Sequence, residues 1–102
     1  MSSLKLKIGD CDIPKEVLVY VVLSIGPYPI SFGGVVQRDE GANLIKKLKL
    51  MAEQRGIPYE AVDKDGVALT GICRIVNLKF EATSTNPPMI RFSGRLAHPF
   101  IT

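Results

Sequence analysis

Leu4, Leu6 and Ile8 alternate with Lys5 and Lys7, a period of two that predicts a strand with one buried and one wet face. Gly9-Asp10 then punctuates the chain. Val17 to Ile25 is apolar at nearly every position and rich in β-branched residues, the pattern of a strand covered on both faces by its own domain or by a neighbouring subunit. Gly26-Pro27-Tyr28-Pro29 breaks it, because proline cannot donate to a ladder. Extended character resumes from Ile30 to Val36, where Gly33-Gly34 marks a bulge or a close approach of backbone. No glycine-rich phosphate motif surrounds that pair, and no helix follows it at once.

The period then changes. Leu44, Ile45, Leu48, Met51 and Ala52 form one apolar stripe at helical spacing, with Lys46, Lys47, Lys49 and Glu53 off it. Asp39 is the expected N-cap and Glu40 the acidic residue of the first turn. Arg55 is placed in the last turn, Gly56 just beyond it, and Pro58 prevents continuation. A short strand is expected from Tyr59 to Val62 and a hairpin turn at Asp63-Lys64-Asp65-Gly66. From Gly71 to Glu81, Ile72, Val76, Leu78 and Phe80 oppose Arg74, Lys79 and Glu81, with Ile75 out of phase. After the polar loop Thr83 to Pro88, Ile90, Phe92 and Leu96 alternate with Arg91, Ser93 and Arg95. The last two strands should pair as an antiparallel hairpin. Strands, one helix, then strands again predict a mainly β (α+β) single domain over residues 1–102, an antiparallel sandwich or barrel with one amphipathic helix packed on it.

Composition agrees with one folded core: 102 residues, 46% hydrophobic and 23% charged. A net charge of +3 and four phenylalanines, three tyrosines and no tryptophan argue against a dedicated stacking platform for single-stranded nucleic acid. The lysines at 46, 47 and 49 read as a solvated helix face. Met1 to Asp10 contains no apolar leader, and the run from Val17 to Ile25 is far shorter than the roughly 20 residues a membrane helix needs. A soluble protein made in the cytoplasm is expected.

Chemistry is sparse. His98 is the single histidine and reads as a surface residue; with the separated Cys11 and Cys73 it cannot close a tetrahedral zinc site. The two cysteines read as reduced, partly buried thiols. Asp10/Asp12 and Asp63/Asp65 lie where aspartate favours turns. No catalytic, cofactor-binding or metal residue is assigned, and no enzymatic activity is expected. Arg74, Lys79, Arg91 and Arg95 can share one positive sheet face, open to nucleic acid, a channel lumen, an acidic protein or plain solvent. Excess strand edge for so small a domain makes pairing with other chains an expectation.

From Ile30 onward the order of features resembles small proteins of phage-type tails, the tail-tube, tail-completion and baseplate-hub group. The resemblance rests on the helix from Leu44-Ile45-Lys46-Lys47-Leu48 to Gly56-Ile57-Pro58, the Asp65-Gly66 turn, Gly71-Ile72-Cys73-Arg74-Ile75-Val76-Asn77-Leu78-Lys79-Phe80, and Pro88-Met89-Ile90-Arg91-Phe92-Ser93-Gly94-Arg95-Leu96. It implies a structural protein of a virion tail or baseplate, assembled in the host cytoplasm into a ring, commonly sixfold, around a channel. Its partners would be copies of itself and other tail proteins, with no membrane and no cofactor. It also implies that Val17, Val19, Val21 and Leu23 meet a neighbouring subunit, and that Arg74, Lys79, Arg91 and Arg95 line a lumen passing DNA. Two other readings remain: a small basic nucleic-acid-binding β-barrel, and a regulatory domain of unassigned ligand.

Overall fold

The computed structural model describes residues 4–99; the stretch from Met1 to Asp10, where no apolar leader is expected, lies in part outside them. Seven strands and one helix follow in the order β1 (Lys5–Ile8), β2 (Cys11–Ile13), β3 (Leu18–Leu23), β4 (Ile30–Gln37), α1 (Ala42–Ala52), β5 (Ile57–Val62), β6 (Ala68–Ala82) and β7 (Met89–Ala97). The strands form one antiparallel sheet of order β2-β1-β5-β6-β7-β4-β3. The fold is therefore mainly β with a single packed helix, the class that the alternating pattern predicts.

The fifteen-residue β6 joins two halves of the sheet. Its first part, Ala68 to Cys73, pairs with β5, and its second part, Arg74 to Ala82, pairs with β7. The sheet rolls about this strand until β1 and β3, near its opposite ends, come into contact. The inner face then closes over one core that includes Leu6, Ile8, Ile30, Phe32, Phe92 and Leu96, all essentially inaccessible to solvent. Helix α1 drops Leu48 into this core and lays Leu44, Met51 and Ala52 against it.

Gly9-Asp10 connects β1 to β2, with Gly9 at φ +57°. A side chain there would meet Ile57 Cγ2 at 2.8 Å and Met51 Sδ at 2.9 Å, so this turn needs glycine for both conformation and space. The Asp63 turn forms as expected: its Oδ1 accepts the N–H groups of Asp65 and Val67, both at 2.9 Å, and Gly66 takes φ +81°.

The helix ends differ from expectation. Asp39 and Glu40 lie in the turn before α1, and the N-cap is Gly41, which makes no side-chain capping bond. Gly41 is buried against Val36, where a methyl group would also lie 3.0 Å from the Gln37 carbonyl oxygen, so packing rather than capping selects the residue. At the other end Glu53 N–H donates to Leu50 O and Gln54 N–H to Met51 O, three residues back, which tightens and stops the helix before Arg55.

The alternation expected along Gly71–Glu81 is also broken. Cys73 and Ile75 point into the core, while Ile72 is 49% exposed. A bulge between Val76 and Lys79, with Asn77 at φ +55°, then reverses the phase. Beyond the bulge Phe80 is registered against the buried Phe92, and Lys79 and Glu81 take the outer face. One continuous two-residue period therefore cannot describe this strand.

Aromatic rings and glycines face one another in direct cross-strand register four times: Phe32 with Gly94, Phe92 with Gly34, Tyr59 with Gly71, and Tyr20 with Gly33. At Gly33, Gly34 and Gly94 the ring takes the space that a glycine side chain would need, and at Gly71 the Tyr59 ring stands 3.2 Å from it. A methyl at Gly94 would sit 2.9 Å from Phe32 Cζ, and one at Gly34 2.6 Å from Phe92 Cζ. Gly94→Ala should cost about 1–3 kcal/mol through overpacking, measured by urea denaturation. Combined with Phe32→Leu, the loss should be smaller than the sum of the two single losses, because the shortened side chain vacates the contested space.

Candidate assembly edge and basic sheet face

β3 ends the strand order and pairs on one side only, with β4. Among the described residues no strand pairs with its other edge. That edge opens onto a groove of about 460 Å³ lined by Leu4, the strand itself, and Asp63, Lys64 and Asp65 of the β5–β6 turn. Natural sheets usually protect such an edge with lysine, proline or a covering element. The sequence Leu-Val-Tyr-Val-Val-Leu supplies neither lysine nor proline.

The expected interface set is split by the structure. Val21 is buried in the chain's own core, Val17 and Leu23 are partly buried against it, and only Val19 is open, at 63% exposure. A bulge between Leu18 and Tyr20, where the Val35 N–H donates to Val17 O, breaks the alternation that would have aligned all four. The apolar surface that β3 presents is Val19, Tyr20 and Val22, continued by Ile25. The strand is thus covered on one face within the chain rather than on two.

The basic residues fare differently. Cross-strand register places Arg74 opposite Ala97, Val76 opposite Arg95, Lys79 opposite Ser93 and Glu81 opposite Arg91. On both sides of the β6 bulge these are outward positions, so Arg74, Lys79, Arg91 and Arg95 share the outer face of the β6–β7 hairpin. Arg74 is half-buried, and the other three are exposed. The same face continues onto β4 and β3, where Ser31 faces Arg95, Gly33 faces Ser93, and Tyr20 faces Gly33. One row across four strands therefore reads Tyr20, Gly33, Ser93, Lys79. Its two small central residues leave a trough, and Tyr20 leans over Gly33 into it.

Sequence reasoning found the cations but missed the aromatics beside them. Tyr20 is 40% exposed, and the Arg95 guanidinium stands 5.8 Å from the centre of the Tyr28 ring, a cation–π contact. The available signal was Tyr28 between two prolines, in a loop tied to the end of β7 by the His98 N–H donating to Pro27 O.

The remaining candidates have structural roles. The helix lysines are exposed, and Lys49 stands over Phe80 at 5.4 Å. Lys5 pairs with Glu60 at 3.1 Å, both well exposed, a contact of at most about 1 kcal/mol. Among the described residues no three His, Cys, Asp or Glu side chains gather to hold a metal. No helix there is long and apolar enough to cross a membrane. Compared with protein-family models, with curated proteins and with solved structures, the chain finds no match in any of the three.

Cys11 and Cys73 are free thiols, both fully buried. Burial pushes the Cys11 thiol up, opposed by nearby Lys47 and aided by Asp12, and pushes Cys73 up to about 12. Neither is a nucleophile in the folded state, because the thiolate is the reactive form. An unfolded Cys73 ionises from about pH 9.0 while the folded one stays protonated, so stability falls as pH rises from there towards 12. The slope from this group approaches about 1.4 kcal/mol per pH unit. Urea titrations across that window should show a steeper alkaline loss in the wild type than in Cys73→Ala.

Proposed function

We propose that this chain is a structural component that assembles with copies of itself by strand addition at the β3 edge, in the manner of the phage-type tail and baseplate proteins its sequence resembles. The supporting observation is that edge: a strand unpaired on one side among the described residues, without lysine or proline, carrying exposed Val19, Tyr20 and Val22 beside an open groove. An edge of this kind is a template for another chain, since backbone hydrogen bonds supply affinity and alternate side chains supply register. Head-to-tail repetition of such a contact closes a ring when the rotation between copies allows.

In a ring built by lateral addition, one sheet face turns to the channel. The inner face is filled by the protein's own core and α1, so the face left for the lumen carries Lys79, Arg91 and Arg95. The role is architectural rather than catalytic, set in a virion tail or a related assembly, with other tail proteins as further partners.

Light scattering during gel filtration should give a mass that is a multiple of 11.2 kDa, with rings or stacked tubes in negative stain. Val19→Lys with Val22→Lys should return the protein to a monomer. Both positions are exposed, so each change should alter monomer stability by no more than about 0.5 kcal/mol. A monomer at every concentration, in the wild type and in the variant alike, would count against self-assembly.

A further inference from the structure

We propose that the trough on the outer face of β3, β4, β7 and β6 is a binding site for single-stranded nucleic acid, in which Lys79 and Arg95 hold a phosphodiester and Tyr20 stacks a base. The trough has a volume of about 440 Å³ and is lined by Tyr20, Ser31, Asn77, Lys79, Ser93 and Arg95, with Gly94 in its floor. That lining contains two cations, two serine hydroxyls, a phenol, one amide and no carboxylate, the complement of an anion with several acceptor oxygens. It is contiguous through Tyr20, Lys79 and Ser93 with a second hollow of about 290 Å³, which adds Arg91, its cross-strand neighbour Glu81, and the more apolar Val19 and Val35. A polar, positive half and a more apolar half with a tyrosine between them suit a nucleotide, whose phosphate and base make opposite demands.

The fold holds these groups ready. Gly33 has no side chain to fill the trough, which lets the partly exposed Tyr20 ring lean over it. Asn77 reaches the trough because the β6 bulge sets it at φ +55°. Arg95 is steadied over Tyr28, which limits the side-chain freedom lost on binding and offers a second ring to a neighbouring base. A strand-tracking positive groove with aromatic platforms is the general design for single-stranded nucleic acid, since each base has a face to stack and each linkage a charge to neutralise. A duplex hides its base faces and would meet only the cations. This inference does not depend on self-assembly: the trough is built within one chain.

The test is fluorescence anisotropy with labelled oligothymidylate of about a dozen nucleotides. The two phosphate-holding cations, Lys79 and Arg95, predict a slope of log affinity against log salt of about −1.4, at ~0.7 per phosphate contact on a single strand. Lys79→Gln should weaken binding and make that slope shallower by about 0.7. Tyr20→Phe should bind as the wild type does, and Tyr20→Ala should lose about tenfold or more, the usual effect of removing one stacking platform. Lys79 is exposed and its replacement leaves the core untouched, so that arm is interpretable even where Tyr20→Ala unfolds the protein. Competition by duplex DNA of the same length as strong as by the single strand would overturn the proposal, as would no binding at low salt or full binding by Lys79→Gln/Arg95→Gln. A monomer that binds oligothymidylate would retain this site while removing the assembly reading; a ring that ignores it would do the reverse.

Discussion

The fold depends on aromatic rings lying over glycines directly across the strand. Phe32 over Gly94 and Phe92 over Gly34 form a reciprocal pair between β4 and β7, one strand in from the β3 edge. A ring that lies down against backbone buries its face at little height, which lets the rolled sheet close on a thin core. The same device sets register. Slipping β4 against β7 by one residue would turn Phe32 outward, and slipping by two would set the ring against a side chain.

The two bulges matter as much as the ladders they interrupt. The one in β3 shifts Tyr20 and Val22 to the outer face; the one in β6 turns Lys79 and Glu81 outward and Phe80 inward. Together they place Tyr20 and Lys79 at opposite ends of one four-strand row, with Gly33 and Ser93 between. Tyr20 over Gly33 is the one ring–glycine pair on the outer surface. The geometry that packs the core is thus reused where solvent, or a ligand, meets the sheet. The β3 edge lies beside that surface, so one strand carries both the proposed assembly contact and one wall of the trough.

Much of the architecture was legible because it is local. The alternation at Leu4–Ile8, the stripe Leu44–Leu48–Met51, the Asp63 turn and the β6–β7 hairpin each depend on residues close in sequence, whose periods and turn chemistry survive into the fold. The misreadings share another cause. Asp39 was the better capping residue by type, but Gly41 takes the position because only a glycine fits against Val36. Ile72 and Val76 matched a two-residue period that the Asn77 bulge breaks, and Val17, Val19, Val21 and Leu23 matched one that the β3 bulge breaks. A bulge costs one residue of register and leaves no compositional mark, so a periodic count carries its error to the end of the strand.

By itself, then, the amino-acid sequence determined a mainly β domain with one helix, the positions of most turns, and a set of cations on alternate residues of the last two strands. Those features follow from nearest-neighbour preferences and hydrophobic period. Only the tertiary structure decided which strand would be left as an edge, which of its valines would stay in water, and that Tyr20 and Tyr28 would join Lys79 and Arg95 on one face. The reason is physical: edge status and cross-strand register are properties of pairings between segments far apart in the chain. Here β3 reaches β7 only through β4, and the rings that fix those pairings find their glycines as much as 62 residues away.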